Sequence, residues 1–332
     1  MTRFDVLAIG NALVDVLSHE DDAFVLRHDL PKGAATMTDA ETSDALYGAM
    51  RPGTEVSGGS AANTAAGVAS LGGSAAFIGK VRDDQLGKVF AHDLRSAGVH
   101  FDTPFATDGP PTGRCLVVVT PDAERTMCTY LGAADQLQSA DVDEALLADS
   151  AVTYLEGYLW DQPHAKDAIR HAMAGAHAAG CRVAFTLSDP FCVDRHRQEF
   201  LELVDDHIDI LFANAHEICA LFEVDDFDRA FQEVARRGRV AALTRSERGS
   251  VVVWDGEVHV VDPEPVTEVV DLTGAGDLYA AGFLYGLTHG LTAETCGRLG
   301  SVAAAEVIGH LGARPLTSLR SVAGSLLPEG HR

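Results

Sequence analysis

The chain has 332 residues, 46% of them hydrophobic, which is enough to bury one large core. Its 49 acidic residues against 25 Lys and Arg give a formal charge of −24, which argues against nucleic acid or an anionic membrane as a partner. Six scattered cysteines form no C-x-x-C pair, the histidines form no H-E-x-x-H pair, and no run of about 18 apolar residues could span a membrane, so a reducing, cytoplasmic setting is expected.

Residues 4–9 are a short apolar run that ends at Gly10 and predicts a buried strand. Asn11 and Asp15 follow. If 13–17 continue as a strand, Leu13, Asp15 and Leu17 share a face, and an acid between two leucines calls for a partner or for an edge turned to water. Helices are predicted at 20–29 and 39–50. Ser57-Gly-Gly-Ser-Ala-Ala-Asn63 then opens a helix of small residues, with Gly58-Gly59 read as a turn and Ser60 as its N-cap. A strand at 75–78 and a helix at 84–97 come next. Residues 99–131 change texture into a β-meander with runs at 99–105, 113–120 and 125–131. With the strand around residue 15 these would form a small sheet outside the main one.

From residue 141 strands and helices alternate. Strands at 151–155, 182–187, 209–213 and 240–244 are separated by helices at 163–179, 194–206, 215–222 and 226–238, and a hairpin at 250–261 turns at Asp255-Gly256. This alternation predicts a parallel sheet covered on both faces, with ligands bound beyond the carboxyl ends of its strands. Gly10-Asn11, Glu156, Asn214 and Thr244 all stand at such ends.

The remaining stretch is Asp271-Leu-Thr-Gly-Ala-Gly-Asp277, a loop that runs into an apolar helix at 275–289 with glycines at 282, 286 and 290. A helix start offers unpaired N–H groups and partial positive charge, hence an anion site. Asp277 in the first turn is either a helix-start acid or a base toward a hydroxyl. An anion cradle beside a base is what phosphoryl transfer to an alcohol needs.

The chain contains no G-x-x-x-x-G-K-[ST]. The pair Ser57-Gly-Gly-Ser-Ala-Ala-Asn63 and Asp271-Leu-Thr-Gly-Ala-Gly-Asp277 resembles the two signatures of the ribokinase-like (PfkB) carbohydrate and nucleoside kinases, and the resemblance covers nearly the whole chain. It implies an α/β/α sandwich, one domain over 1–332, with a β-sheet lid from about residues 11–18, 34–38 and 99–131. It implies transfer of the γ-phosphoryl of Mg-ATP to a hydroxyl, with Asp277 as base and the N–H groups of Gly274, Ala275 and Gly276 as anion hole. Asn11, Asp15, Gly58, Gly59 and Asn63 match positions that hold the substrate ring, and Glu156 and Arg114 are further candidates.

Asn214-Ala-His-Glu217 matches the family's N-x-x-E, which organises Mg²⁺ through water. The same residues make a capping box, and both readings stand. Thr244, Ser246 and Gly249 occupy a nucleotide loop in which Ser246 replaces a glycine. Asp271 and Thr273, with a turn near Gly312, match a K⁺ site of relatives. The texture of 120–132 and 244–249 is similar to bacterial adenosine kinases. Adenosine is therefore the first expected substrate, a free sugar the second and a non-catalytic binding regulator the third, in a monomer or homodimer. The apolar residues Phe101, Phe105, Leu116, Val118, Met127 and Leu131 are either core of the small sheet or a slot for a base.

Overall fold

Strand β1 (Phe4–Ile9) sends Val6 and Ala8 into one apolar cluster and Leu7 and Ile9 into another. That alternation puts a helical layer on each face of the sheet, as buried parallel strands require. The structure, a computed structural model, describes residues 2–122 and 124–327. The further strands in chain order are β2 (Leu13–His19), β3 (Ala35–Met37), β4 (Thr54–Gly58), β5 (Ala75–Ile78), β6 (Val99–His100), β7 (Thr112–Val119), β8 (Arg125–Gly132), β9 (Ser150–Glu156), β10 (Arg182–Thr186), β11 (Ile210–Asn214), β12 (Val240–Thr244), β13 (Ser250–Trp254) and β14 (Glu257–Val261).

The large sheet runs β14-β13-β12-β11-β10-β9-β1-β5-β6. It is parallel apart from the antiparallel β12–β13–β14 edge. One face carries the helices Ser60–Ser70, Gln85–Ser96, Ala275–Thr288 and Ala293–Ile308, and the other carries Pro163–Ala178, Pro190–Asp206, Ala215–Phe222 and Phe227–Arg236. Helix Ala275–Thr288 is buried from Leu278 to Leu287. It lies so close to its neighbour that a Cβ on Gly282 would stand 2.4 Å from the carbonyl oxygen of Leu299, so the glycines at 282 and 286 are a packing requirement. No described helix is long and apolar enough to cross a membrane.

The small sheet runs β3-β8-β7-β2-β4. Two of its details differ from the expectation. Val99–His100 pairs in parallel with β5 and closes the edge of the large sheet, so residues 99 and 100 are not part of the small one. Thr54–Gly58, which carries no apolar period, is a strand antiparallel to β2, with Leu13 opposite Gly58. The turn expected at Gly58-Gly59 thus reduces to Gly59, at a φ of +99°, and Ser60 is the first helical residue rather than the cap.

Candidate active site

A cleft of about 680 Å³ lies between the small sheet and the carboxyl ends of β1, β9, β10, β11 and β12. Asn11, Asp15, Gly59, Asn63, Glu156, Asn214, Glu217, Thr244, Thr273, Gly274, Gly276 and Asp277 all line it. Residues from the two ends of the chain therefore meet, because both glycine-rich stretches sit at one end of the parallel sheet.

Asp277 stands in the first turn of helix Ala275–Thr288, which begins at Gly274 with a φ of +80°. Its Oδ1 accepts the Ser60 hydroxyl at 2.6 Å and its Oδ2 the Asn63 amide at 2.9 Å. Burial pushes its carboxyl above the usual range, against the pull of Ser60, Asn63 and Arg314. These two bonds fix the carboxylate in one orientation, and the free Oδ1 of Asn63 is buried without a partner among the described residues. An acceptor so placed suits a ligand hydroxyl. The N–H of Ala275 closes a turn on Leu272 O at 3.2 Å, so the cradle rests on its neighbours. A Cβ on Gly276 would meet nothing within 4 Å. Packing does not demand glycine there; it leaves the approach to a helix-start N–H open.

Asp15 faces the cleft from β2. Gly58 makes room for it: a Cβ there would lie 2.4 Å from Asp15 Oδ2. Burial pushes Asp15 up to about 7, Arg314 pulls it down, and Asp277 adds to the rise. Its row across the sheet is Cys115 on β7 and Thr129 on β8, and all three line the cleft. Arg114 is one residue out of that row, so strand alternation turns it to the opposite face. There it bonds Ser43 at 2.8 Å, pairs with Asp44 and covers the Tyr47 ring at 5.0 Å. It clamps helix Ala40–Ala49 to the small sheet and does not reach the cleft, which corrects its candidacy. The six apolar residues also separate. Met127 and Leu131 line the cleft, while Phe101, Leu116 and Val118 are core and Phe105 packs on that core.

Glu156 is buried beneath the cleft and accepts the Asn11 backbone N–H at 2.8 Å, the Asn11 amide at 2.7 Å and the Ala61 N–H at 2.9 Å. Burial pushes it up to about 7, against these donors. It sets Asn11 and the start of helix Ser60–Ser70.

Asn214 and Glu217 form the capping box: Asn214 Oδ1 accepts the Glu217 N–H at 2.9 Å, and Glu217 accepts the Asn214 N–H at 2.9 Å. Glu217 still lines the cleft, and burial pushes it up to about 7. Ser246 adopts a φ of +53°, the left-handed conformation that favours glycine, so a serine there carries a backbone cost of order 1 kcal/mol. Gly249, at a φ of +72°, would bring a Cβ to 2.1 Å from Val261 O. Thr244 reaches the cleft, whereas Ser246 and Gly249 shape the loop behind it.

Asp271 is buried and fully engaged. Oδ1 takes the Thr273 N–H at 3.0 Å and hydroxyl at 2.7 Å, and Oδ2 takes the Gly312 N–H at 2.9 Å and pairs with Arg125 from β8. N–H donors and a guanidinium stand where a monovalent cation would need oxygens. Two more residues belong to the site: Ser60, through Asp277, and Arg314, which bonds Ser57 and Ala62 beneath it. Ser60 lies inside the first glycine-rich signature, where it reads as a cap, and Arg314 lies in no recognisable spacing.

A family model described as pfkB family carbohydrate kinase matches residues 39–319. A solved structure of adenosine kinase from Sinorhizobium meliloti is 53% identical, covering 98% of this chain and 100% of that one, with a TM-score of 0.90. A probable sugar kinase protein from Rhizobium etli CFN 42 is 49% identical over 98% of this chain and 100% of its own, with a TM-score of 0.92. Adenosine kinase of Dictyostelium discoideum is 27% identical over 94% of this chain and 97% of its own length. The chain has the ribokinase-like α/β fold and belongs to the pfkB family of carbohydrate kinases, phosphotransferases that act on hydroxyl groups.

Proposed function

We propose that the chain transfers the γ-phosphoryl group of ATP to the 5′-hydroxyl of adenosine, giving AMP and ADP. The observation that carries this reading is the 53% identity, over 98% of the chain, to the Sinorhizobium meliloti adenosine kinase. The geometry supports it. Asp15 and Asn63 offer acceptors to the hydroxyls of one furanose ring, and the Leu13, Met127 and Leu131 wall beside them suits a flat base.

In the proposed mechanism Asp277 orients the acceptor hydroxyl and takes its proton as the oxygen bonds to the γ-phosphorus. The bond to the leaving ADP oxygen breaks in the same displacement. Ser60 and Asn63 hold the carboxylate in line, so little reorganisation is left for the transition state. The helix start at Gly274 and Gly276 receives charge on the transferring group. Glu217, a cleft carboxylate whose described partners are the Asn214 backbone and side-chain amides, fits a hydrated Mg²⁺, which when bound neutralises phosphate oxygens. The Asp271 set does not fit K⁺, and no step is assigned to that ion.

A second reading, a free sugar as acceptor, is favoured by the 49% identity to the Rhizobium etli sugar kinase protein. A panel of adenosine, inosine, guanosine, ribose, fructose and 2-keto-3-deoxygluconate with Mg-ATP decides between them. Adenosine should give the highest kcat/KM. A sugar ahead of it by tenfold, about 1.4 kcal/mol of transition-state preference, would replace the first reading with the second.

A further inference from the structure

Three consecutive residues join the two halves of the cleft. Gly312 donates its N–H to Asp271 at 2.9 Å. Ala313 packs on Gly274, so closely that a Cβ there would lie 2.7 Å from the Ala313 methyl. Arg314 then crosses to the other signature. Its Nε donates to Ser57 O at 3.0 Å, Nη1 to Ala62 O at 2.7 Å and Nη2 to Ser57 Oγ at 2.9 Å. Ser57 in turn donates its N–H and hydroxyl to Asp93, at 2.8 and 2.6 Å.

The partners of this guanidinium are unusual. An arginine drawn into the fold is ordinarily paired with a carboxylate, yet the half-buried Arg314 spends its donors on two carbonyls and a hydroxyl. Its charge is left to act at longer range on Asp93, Asp15 and Asp277. The two carbonyls belong to the end of β4 and the first turn of helix Ser60–Ser70, and between them stand Gly58, Gly59, Ser60 and Ala61. Loss of these bonds would free the turn that places Ser60 and Asn63 on Asp277.

We propose that Arg314 is a positioning residue for the phosphoryl transfer. It fastens the Ser57–Asn63 turn to the anion-hole loop and supplies a fixed positive charge behind Asp15 and Asp277. The other titratable groups that face those two carboxylates among the described residues are Cys115 from β7, Arg125 from β8, Tyr154 and Glu156 from β9, Tyr158 from the turn after β9, Glu217 from the helix after β11 and Asp271 from the loop before helix Ala275–Thr288. Acids outnumber the two arginines in this group, so the loss of one arginine should be felt as a change in proton affinity. The inference rests on the reading of Asp277 as the base.

The test is the pH dependence of kcat and kcat/KM for the wild type, Arg314→Met and Arg314→Lys, with Mg-ATP and the best acceptor of the panel. For Arg314→Met we expect a loss of at least about tenfold at pH 7, an acid limb moved upward by about one pH unit, and partial recovery at pH 9. Arg314→Lys restores the charge but not the three-way bonding, so its limb should return toward the wild type while kcat stays reduced. Hydrogen exchange of the 57–63 amides should quicken in both. An unmoved limb and unchanged exchange in a folded Arg314→Met variant would overturn the proposal. If that variant does not fold, Arg314→Lys decides alone, and wild-type exchange at 57–63 overturns it. Failure of the underlying reading is seen separately, as undiminished turnover in Asp277→Asn.

Discussion

Replacing Asp15 by an asparagine should stabilise the fold at alkaline pH while weakening substrate binding. Burial lifts the Asp15 carboxyl from 3.8 to about 7. Between those values the folded chain keeps a proton that the unfolded chain has lost. The stability this group contributes is therefore fully present below about pH 4 and is lost as pH rises through about 7. The gap of about three pH units sets a ceiling near 4 kcal/mol. Asp15 opens onto the cleft, where water screens it, and about 1–2 kcal/mol is the expected cost of its charge. The amide of the Asp15→Asn variant carries no such charge, so Tm should rise by roughly 2 °C at pH 8.5, by roughly 1 °C at pH 5 and by nothing below about pH 4. Calorimetric titration of the same variant should show adenosine affinity down by about 2–4 kcal/mol and ATP affinity unchanged. A variant destabilised equally at both pH values would mean that Asp15 is held by a partner in the fold, and equal weakening of both ligands would make it structural.

Asp277→Asn should lower kcat by at least about 10³-fold with both ligands still bound, as measured by equilibrium titration and turnover; near-normal turnover would remove the base. Ser60→Ala deletes a 2.6 Å bond to the same carboxylate and should cost about 1.5–3 kcal/mol of transition-state stabilisation, read as kcat/KM, with an acid limb moved upward. Turnover should be the same in potassium, sodium and tetramethylammonium salts at equal ionic strength, and activation by potassium of about fivefold or more would show that Asp271 exchanges Arg125 for the ion.

Much of this arrangement was legible before the structure. Strict alternation of apolar runs and helices specified the parallel sheet, and the two glycine-rich stretches specified where its ligands lie. What could not be read depends on register. Arg114 and Cys115 are neighbours in sequence, and only the pairing of Asp15 with Cys115 shows which of them faces the cleft. Ser60 looked like a cap because a serine before a helix ordinarily is one; its partner Asp277 lies 217 residues away. Arg314 carries no pattern at all, since a lone arginine in a loop is a surface residue by default. Ser246 is the opposite case: sequence marked it as a departure from glycine, and the backbone there adopts the left-handed turn that glycine favours.

The charge of the cleft has a consequence for the product. Asp15, Asp277 and Glu156 crowd the acceptor end, and they outnumber the two arginines near them, Arg125, which pairs with Asp271, and Arg314, which bonds the Ser57 and Ala62 carbonyls. A neutral nucleoside or sugar can enter there, and its hydroxyls gain charged acceptors. Once phosphorylated, the same molecule carries nearly two negative charges beside these carboxylates. The repulsion that a neutral substrate never meets then favours departure of the product. On the proposed reaction AMP should bind at least about tenfold more weakly than adenosine at pH 8. The gap should narrow toward pH 6, where Asp15, with its carboxyl at about 7, takes up a proton. Titration of both ligands at the two pH values measures it, and a gap that does not change with pH would place the repulsion elsewhere than on Asp15.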